Sequence, residues 1–119
     1  MNIEDIKLLR FDTNVNSNKE TKIVALYNDK IIGITGLSHV DKKSACLLSL
    51  YVDTNFRNLN VGSMIVNECV KIAKESNCKT IGLLLDKDNN AEKFYNKLGF
   101  LFGYEYDDKD SLMLKRLDT

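Results

Sequence analysis

The strongest constraint on the fold is a strand–loop–helix unit in residues 45–77. Residues 45–52 (ACLLSLYV) form a short and almost continuous apolar run, which is typical of a buried strand. Residues 61–77 (VGSMIVNECVKIAKESN) collect their polar side chains on one face, so they predict an amphipathic helix. The polar residues 53–60 join the two elements, and Gly62 lies in the first turn of the predicted helix.

Gly62 indicates that another molecule approaches the start of this helix. Glycine costs roughly 1 kcal/mol relative to alanine inside a helix, and close approach to the backbone is one reason to keep it. The unpaired N–H groups and the positive dipole end of a helix start favour an anion, most often a phosphate. An ordinary strand-to-helix loop that happens to contain glycine explains this stretch equally well.

The rest of the chain predicts a sheet built mainly from antiparallel hairpins. Further strands are expected at residues 3–10, 21–27, 31–37, 80–85, 100–106 and 111–117. Asn28-Asp29 makes a tight hairpin turn, whereas the Asn-rich residues 11–20 predict a connecting loop. Residues 91–98 predict a short helix that ends at Gly99, after a polar loop (residues 86–90) whose side chains suit a helix N-cap. The predicted fold class is α/β (α+β), with a mixed, mostly antiparallel sheet of about seven strands and two main helices.

Charge and length narrow the possible partners and compartments. The 119 residues include 17 basic and 17 acidic side chains, a formal net charge of zero, which argues against nucleic acid or an anionic membrane surface as partner. The length fits one domain, residues 1–119. No apolar run reaches transmembrane length, and the first residues (MNIEDIKLL) carry acids where a signal peptide carries bases. We therefore expect a cytoplasmic protein.

The cysteines and the single histidine give no metal-binding pattern. Cys46, Cys69 and Cys78 lack metal-ligand spacing, so we expect reduced thiols and no metal. Cys46 and Cys69 fall within apolar patterns and are expected in the core. His39 lies in a predicted turn, where an exposed loop histidine is the expected interpretation. A catalytic or substrate-binding role is the alternative, because histidine titrates near neutral pH.

Two motifs, taken together, carry a family resemblance. Residues 57–63 (RNLNVGS) follow the strand end at residues 50–52 (LYV), and residues 89–100 (NNAEKFYNKLGF) follow about thirty residues later. The first resembles the acetyl-CoA loop of the GNAT family of N-acetyltransferases: Arg or Gln, two residues, Gly, one residue, then Gly or Ala. The second is similar to the family's Asn-rich loop and its Ala-x-x-Phe-Tyr-x-Lys-x-Gly-Phe helix. Residues 113–117 (MLKRL) are similar to its closing strand, and the resemblance covers residues 21–117 better than the first twenty.

The resemblance implies that acetyl-CoA (coenzyme A) is the cofactor. Its pantetheine arm would lie in a gap between two splayed strands and bond to the backbone of Leu50 and Val52. The N–H groups of residues 58–63 would hold the pyrophosphate beside Arg57. The implied cofactor-binding residues are Leu50, Tyr51, Val52, Arg57, Asn58, Leu59, Asn60, Val61, Gly62, Ser63, Asn89, Asn90 and Lys93.

The implied catalytic residue is Tyr95. The resemblance places its phenol beside the cofactor sulfur, where it would return a proton to the departing thiolate and contribute about 10²–10⁴-fold to the rate. The alternative is half-buried packing of an amphipathic helix, next to Phe94.

This sequence departs from the family pattern in three places. Asn60 stands at the first loop glycine, and asparagine tolerates the left-handed backbone of such a turn. Leu48 stands where many members carry a glutamate that acts as base through water. The base must then be solvent and backbone carbonyls, or His39 or Glu105. Residues 12–20 replace two helices that form one wall of the acceptor site in the family, so this wall is missing or minimal.

The function implied by the resemblance is that of an N-acetyltransferase. It would move the acetyl group of acetyl-CoA to a primary amine by direct attack in a ternary complex. The amine would belong to a small molecule or a protein. An open acceptor side calls for a bulky acceptor or a second copy of the chain, hence a possible homodimer. Two alternatives stay open: a coenzyme A-binding module without turnover, and a protein-interaction domain without a ligand.

Overall fold

A computed structural model describes residues 3–15 and 18–117 of the chain. The described strands are β1 (Ile6–Val15), β2 (Asn18–Tyr27), β3 (Lys30–His39), β4 (Ser44–Leu47), β5 (Tyr51–Val52), β6 (Thr80–Asp86), β7 (Leu101–Glu105) and β8 (Asp110–Arg116). The two α-helices are α1 (Val61–Glu75) and α2 (Glu92–Lys97), and short 3₁₀ turns at Ile3–Asp5 and Thr54–Phe56 precede β1 and α1. No helix in the described ranges is long and apolar enough to cross a membrane.

The strands form one mixed sheet in the order β1-β2-β3-β4-β6-β8-β7, with β5 added to β3. Among the described strands, β4 and β6 are the one parallel pair, and all other neighbours are antiparallel. The predicted fold class is therefore confirmed. The last strand in sequence, β8, lies between β6 and β7.

The sheet has eight strands because the apolar run at residues 45–52 does not form one strand. Leu47 pairs with Leu37 of β3, and Tyr51 pairs with Ile34, so the run has one residue more than the facing stretch of β3. This extra residue is a bulge. It ends β4 at Leu47 and separates β4 from β5.

The prediction of a loop at residues 11–20 is wrong. Phe11 to Val15 continue β1, and β2 begins at Asn18, so the two strands form a ten-residue antiparallel hairpin; residues 16–17 lie outside the described residues. The polar sequence suits an edge strand, since one side of β1 faces solvent. Thr21 Oγ1 donates to Asp12 Oδ1 at 2.8 Å across the hairpin. The predicted first strand starts at Ile6, because residues 3–5 form a 3₁₀ turn.

The two predicted helices are present with small shifts at their ends. α1 begins at Val61 as predicted and ends at Glu75, and Gly99, with φ 93°, follows α2 as the predicted stop. The side-chain N-cap predicted for α2 is wrong, because Ala91 is its N-cap residue and forms no side-chain bond. Asn89 Oδ1 instead accepts from the Ala91 N–H at 2.8 Å and closes the turn before the helix. The predicted Asn28-Asp29 turn has positive φ at both residues, as a type I′ hairpin requires.

Both helices pack on one face of the sheet and bury the core there. α1 packs against β2 to β6, and Phe94 of α2 lies against Gly62 of α1. The largest fully buried apolar side chains of this layer are Ile23, Ile32, Leu37, Ile65, Ile72, Ile81, Phe100 and Met113.

The opposite face of the sheet has no helix on it among the described residues. Because side chains alternate along a strand, residues whose neighbours face α1 or α2 lie here, and many of them are large, apolar and at least one-third exposed. This open face comprises Leu9, Phe11, Ile34, Tyr51, Leu84, Leu101, Tyr104 and Leu114.

Candidate active site

The two parallel strands separate near the middle of the sheet. β4 and β6 pair along only three residues each, the last pair being Cys46 and Gly82. Beyond this pair, the Leu48 N–H donates to Gly36 O of β3 at 2.7 Å and not to β6. The bulge that ends β4 thus opens the sheet between residues 47–50 and residues 83–86. A cavity of about 570 Å³ occupies this opening.

A second cavity, of about 740 Å³, lies at the start of α1. Leu50, Asn89, Ala91 and Phe94 line both cavities, so the two meet between residue 50 and the start of α2. The result is one groove that runs from the start of α1 into the opening of the sheet.

Most of the predicted cofactor-binding residues are brought together in the second cavity. Its lining includes Leu50, Tyr51, Val52, Arg57, Asn58, Asn60, Val61, Gly62, Ser63 and Asn89. Leu59, Asn90 and Lys93 do not line either cavity. The cofactor-binding role of all thirteen residues stays a prediction.

The start of α1 leaves several backbone donors without helical acceptors. Asn60 is the N-cap residue, with φ 65° and ψ 13°, and it forms no side-chain cap bond. The first helical bond runs from the Met64 N–H to Asn60 O at 3.0 Å. The N–H groups of residues 61–63 precede this bond, so the helix itself does not use them. Asparagine holds the left-handed turn that the family pattern assigns to glycine.

Two cations line the same cavity as these free N–H groups. Arg57 Nε donates to Val52 O at 3.1 Å, which fixes the guanidinium at the edge of the cavity. Lys97, in the last turn of α2, also lines the cavity. With the helix dipole, the site presents positive charge to one side of the groove.

Tyr95 lines the first cavity, inside the opening of the sheet. Its ring packs edge-on against Phe94 (centroids 4.9 Å apart) and Phe100 (5.8 Å), and the residue is only 6% exposed. Burial, with a smaller contribution from the Cys69 thiol, raises the pKa of the Tyr95 phenol. The phenol therefore keeps its proton throughout the neutral pH range.

Phe94 lines both cavities, although the sequence predicts no cofactor-binding role for it. A Cβ built on Gly62 would lie 3.2 Å from Phe94 Cζ and 3.7 Å from Leu50 Cδ2. Gly62 thus lets α2 approach the start of α1, and its lack of a side chain leaves the groove open between Phe94 and Leu50. The sequence does place Phe94 and Lys97 three residues apart, so they share a face of α2. Both side chains line the second cavity.

His39 and Glu105, the two side chains predicted as candidates for the general base, lie outside the groove. His39 is the last residue of β3 and half-buried, not an exposed loop histidine as predicted, and its Nδ1 lies 3.9 Å from Cys78 Sγ. It pairs with Ala45, at the closed end of the β4–β6 pair. Burial lowers the pKa of His39. Glu105 is exposed, and its Oε2 lies 3.3 Å from Lys87 Nζ.

The carboxylates that do line the opening are Asp86 and Asp110. They are direct partners across β6 and β8, so the sheet sets them side by side. Asp86 Oδ1 accepts from the Asp88 N–H at 2.8 Å, which orients this carboxylate. The sequence places Asp86 in the predicted polar loop of residues 86–90 and indicates no partner for it, because the pairing with Asp110 depends on β8 returning beside β6.

The eight-stranded mixed sheet with two helices on one face has the fold of the acyl-CoA N-acyltransferases. A family model described as the acetyltransferase (GNAT) family matches residues 3–100. The chain belongs to this family, whose members use acetyl-CoA.

Solved structures with the same fold include relatives that contain the cofactor. The PaiA N-acetyltransferase of Thermoplasma acidophilum in complex with coenzyme A is 26% identical, with a TM-score of 0.76 over 82% of this chain. The chain spans 60% of that protein's length. A GNAT family acetyltransferase of Elizabethkingia anophelis with acetyl-CoA bound is 16% identical, with a TM-score of 0.80 over 96% of this chain and 99% of that one. At this identity the likeness concerns the fold.

Proposed function

We propose that this protein is an N-acetyltransferase that binds acetyl-CoA in the groove and transfers the acetyl group to a primary amine. The observation that carries this proposal is the connection of the two cavities, one at an uncapped helix start and one in the opening between β4 and β6. The free cysteines suit a reducing compartment, and we place the reaction in the cytoplasm.

The residues present fit coenzyme A. The free N–H groups of residues 61–63, with Arg57 and Lys97, offer donors and positive charge to a pyrophosphate. The passage between Leu50 and Phe94 is apolar on both sides and suits the pantetheine arm. Tyr95 stands where the groove ends in the opening of the sheet.

Two groups of this chain handle protons in the proposed reaction. Acetyl-CoA supplies a thioester carbonyl carbon for attack and a thiolate as leaving group. Asp86 or Asp110 accepts the proton that the amine loses when its nitrogen bonds to the carbonyl carbon. Tyr95 donates its phenolic proton at the sulfur as the carbon–sulfur bond breaks. The amine attacks directly, in a ternary complex.

Calorimetry and thiol release test the two halves of this proposal separately. We expect acetyl-CoA to bind with a stoichiometry of one per chain, and free thiol to appear with at least one member of a panel of amines. Binding without thiol release from any amine would favour a coenzyme A-binding module. Leu48, which lines the opening where the family pattern has a glutamate, is the feature that favours this second function.

The substitution Gly62→Val tests the position of the cofactor. The valine side chain would enter the groove between Phe94 and Leu50, where Phe94 leaves little room, so the acetyl-CoA Kd should rise at least tenfold, or about 1.4 kcal/mol. Asn67→Val is the matched control, because it also introduces a valine into α1, at an exposed residue that lines neither cavity. Equal affinities of two folded variants would place the cofactor elsewhere.

A further inference from the structure

The open face carries a continuous apolar surface across the first half of the sheet. Leu9, Val24, Ile34 and Tyr51 are direct cross-strand partners from β1 to β5 and form one row. Leu48 extends this surface toward the opening, because its side chain covers Gly36 of β3. A Cβ atom built on Gly36 would lie 3.0 Å from Leu48 Cδ1. Cross-strand neighbours on one face pack against each other, so the row is a single surface.

The second half of the sheet continues this surface beyond the opening. Leu84 of β6 pairs with Leu112 of β8, which pairs with Tyr104 of β7. Leu101 and Tyr104 are 68% and 56% exposed. Apolar side chains therefore reach both edges of the face.

The exposed apolar area matches one side of a stable dimer. With about 180 Å² for a large side chain, the eight residues of the open face expose on the order of 700 Å². This total over both halves of the sheet approaches the roughly 800 Å² that each partner buries in a standard interface.

The charges of the chain favour a second copy as the cover of this face. The formal net charge is zero, so two copies do not repel each other. The charged residues within the face have both signs, with Lys22 and Glu20 two residues apart on β2. A two-fold axis makes a surface complementary to itself, and it can set the lysine of one copy against the glutamate of the other.

We propose that the open face is a homodimer interface, in which two copies of this chain cover each other's sheets. Cys46, Leu48 and Leu84 lie on this face and also line the opening between β4 and β6. Each copy would then wall the amine side of its partner's groove. This last consequence rests on the proposed function, whereas the dimer itself does not.

Sedimentation equilibrium of the chain without ligand tests the dimer. At about 100 µM, above the micromolar limit for interfaces of this size, we expect a mass twice the 13.6 kDa of one chain. Phe11→Glu should raise the dimer Kd at least tenfold, because it buries a carboxylate in the interface. Phe102→Glu is the matched control, because Phe102 also lies on an edge strand and is exposed to a similar extent (55%, against 51% for Phe11). Phe102 pairs with the buried Met113 and therefore faces the helix side of the sheet, outside the proposed interface.

A monomeric wild-type protein at this concentration would overturn the proposal, as would equal effects of the two glutamate variants. Leu101→Lys repeats the test at the other edge if circular dichroism finds Phe11→Glu unfolded.

Calorimetry with acetyl-CoA separates this proposal from the proposed function. A dimer that binds no acetyl-CoA leaves the interface standing, and a monomer that binds acetyl-CoA overturns the interface alone. In the dissociated variants, we expect the KM for the amine to rise at unchanged acetyl-CoA affinity.

Discussion

At the scale of single residues, the surroundings of Tyr95 suit a proton donor. Burial raises the pKa of its phenol, and the two rings around it hold the side chain in one orientation inside the opening of the sheet. A coenzyme A thiol is more acidic than such a phenol, so the transfer of the proton is not strongly driven. Tyr95 should therefore assist the reaction without being indispensable.

Tyr95→Phe should lower kcat by about 10- to 100-fold, at the low end for a general acid. The ring and its packing remain, so acetyl-CoA affinity and thermal stability should hardly change. The hydroxyl acts only as the carbon–sulfur bond breaks, so kcat and kcat/KM should fall together. Tyr106→Phe, at an exposed tyrosine, is the control. An unchanged kcat, or a loss confined to acetyl-CoA affinity, would make Tyr95 a packing or binding residue.

Cys69 gives the stability of the protein a defined dependence on pH. Burial, and then the neighbouring Glu68 carboxylate, raises the pKa of its thiol from 9.0 to about 12. Above about pH 9 the unfolded chain loses this proton while the folded protein keeps it, so the unfolded state binds fewer protons. The free energy of unfolding should fall by roughly 1.4 kcal/mol per pH unit on this account, up to the folded pKa.

Cys69→Ala should remove this contribution. Urea unfolding at about pH 8, 9 and 10 measures the slope in both proteins, and the variant should lose stability less steeply. Some slope should remain, because burial also raises the pKa of Cys46 and Cys78. Identical slopes in the two proteins would mean that Cys69 ionises as easily when folded as when unfolded.

At the scale of elements, the position of α2 depends on a contact from a distant strand. Lys115 of β8 donates from Nζ to Leu98 O at 2.6 Å, directly after the last turn of α2. This carbonyl belongs to the negative end of a helix of only six residues. α2 carries Phe94, Tyr95 and Lys97, so this contact holds one side of the groove.

Lys115→Met keeps much of the aliphatic stem but removes the ammonium. The free energy of unfolding should fall by about 1.5–3 kcal/mol, as for other hydrogen bonds to a charged group. Lys109→Met, in the exposed turn before β8, should change it little. Guanidinium unfolding of the three proteins provides the comparison. An equal loss in both variants would mean that the loss of charge alone is responsible.

An element could be predicted from the sequence when residues within the element itself determine its structure, and could not when distant strands determine it. The helices and the Asn28-Asp29 hairpin were predictable, because periodicity and turn residues act within a few positions. The β1–β2 hairpin was not, since an edge strand tolerates a polar sequence that otherwise indicates a loop. The β4–β5 bulge and the Asp86–Asp110 pair depend on register with strands far away in sequence. No local pattern carries this information.

At the scale of the whole molecule, we propose that residues 1–119 fold as one domain. One layer of buried side chains joins both helices to the sheet from β1 to β8. The radius of gyration of 14.2 Å is close to the roughly 13.5 Å of a compact domain of this length. No separate core exists in the described residues that would let either half unfold alone.

Heat should therefore unfold the protein in one cooperative transition. Far-ultraviolet circular dichroism and tyrosine fluorescence should give the same midpoint at a fixed chain concentration. Acetyl-CoA at a hundred times its Kd should stabilise the folded state by about 2.7 kcal/mol, which raises the midpoint. Two separated transitions would contradict the single domain, whereas an unmoved midpoint would contradict only the binding of acetyl-CoA.

The place of β8 between β6 and β7 also determines when the sheet can be completed during synthesis of the chain. Ribosomes deliver a chain from its N-terminus at roughly 5–20 residues per second, so β6 and β7 emerge before the strand that joins them. Until residues 110–116 have left the exit tunnel, β6 has a free apolar edge and Asp86 has no partner. A nascent chain arrested before this point would expose that edge to chaperones and proteases. The candidate active site can thus assemble only after β8 has left the exit tunnel.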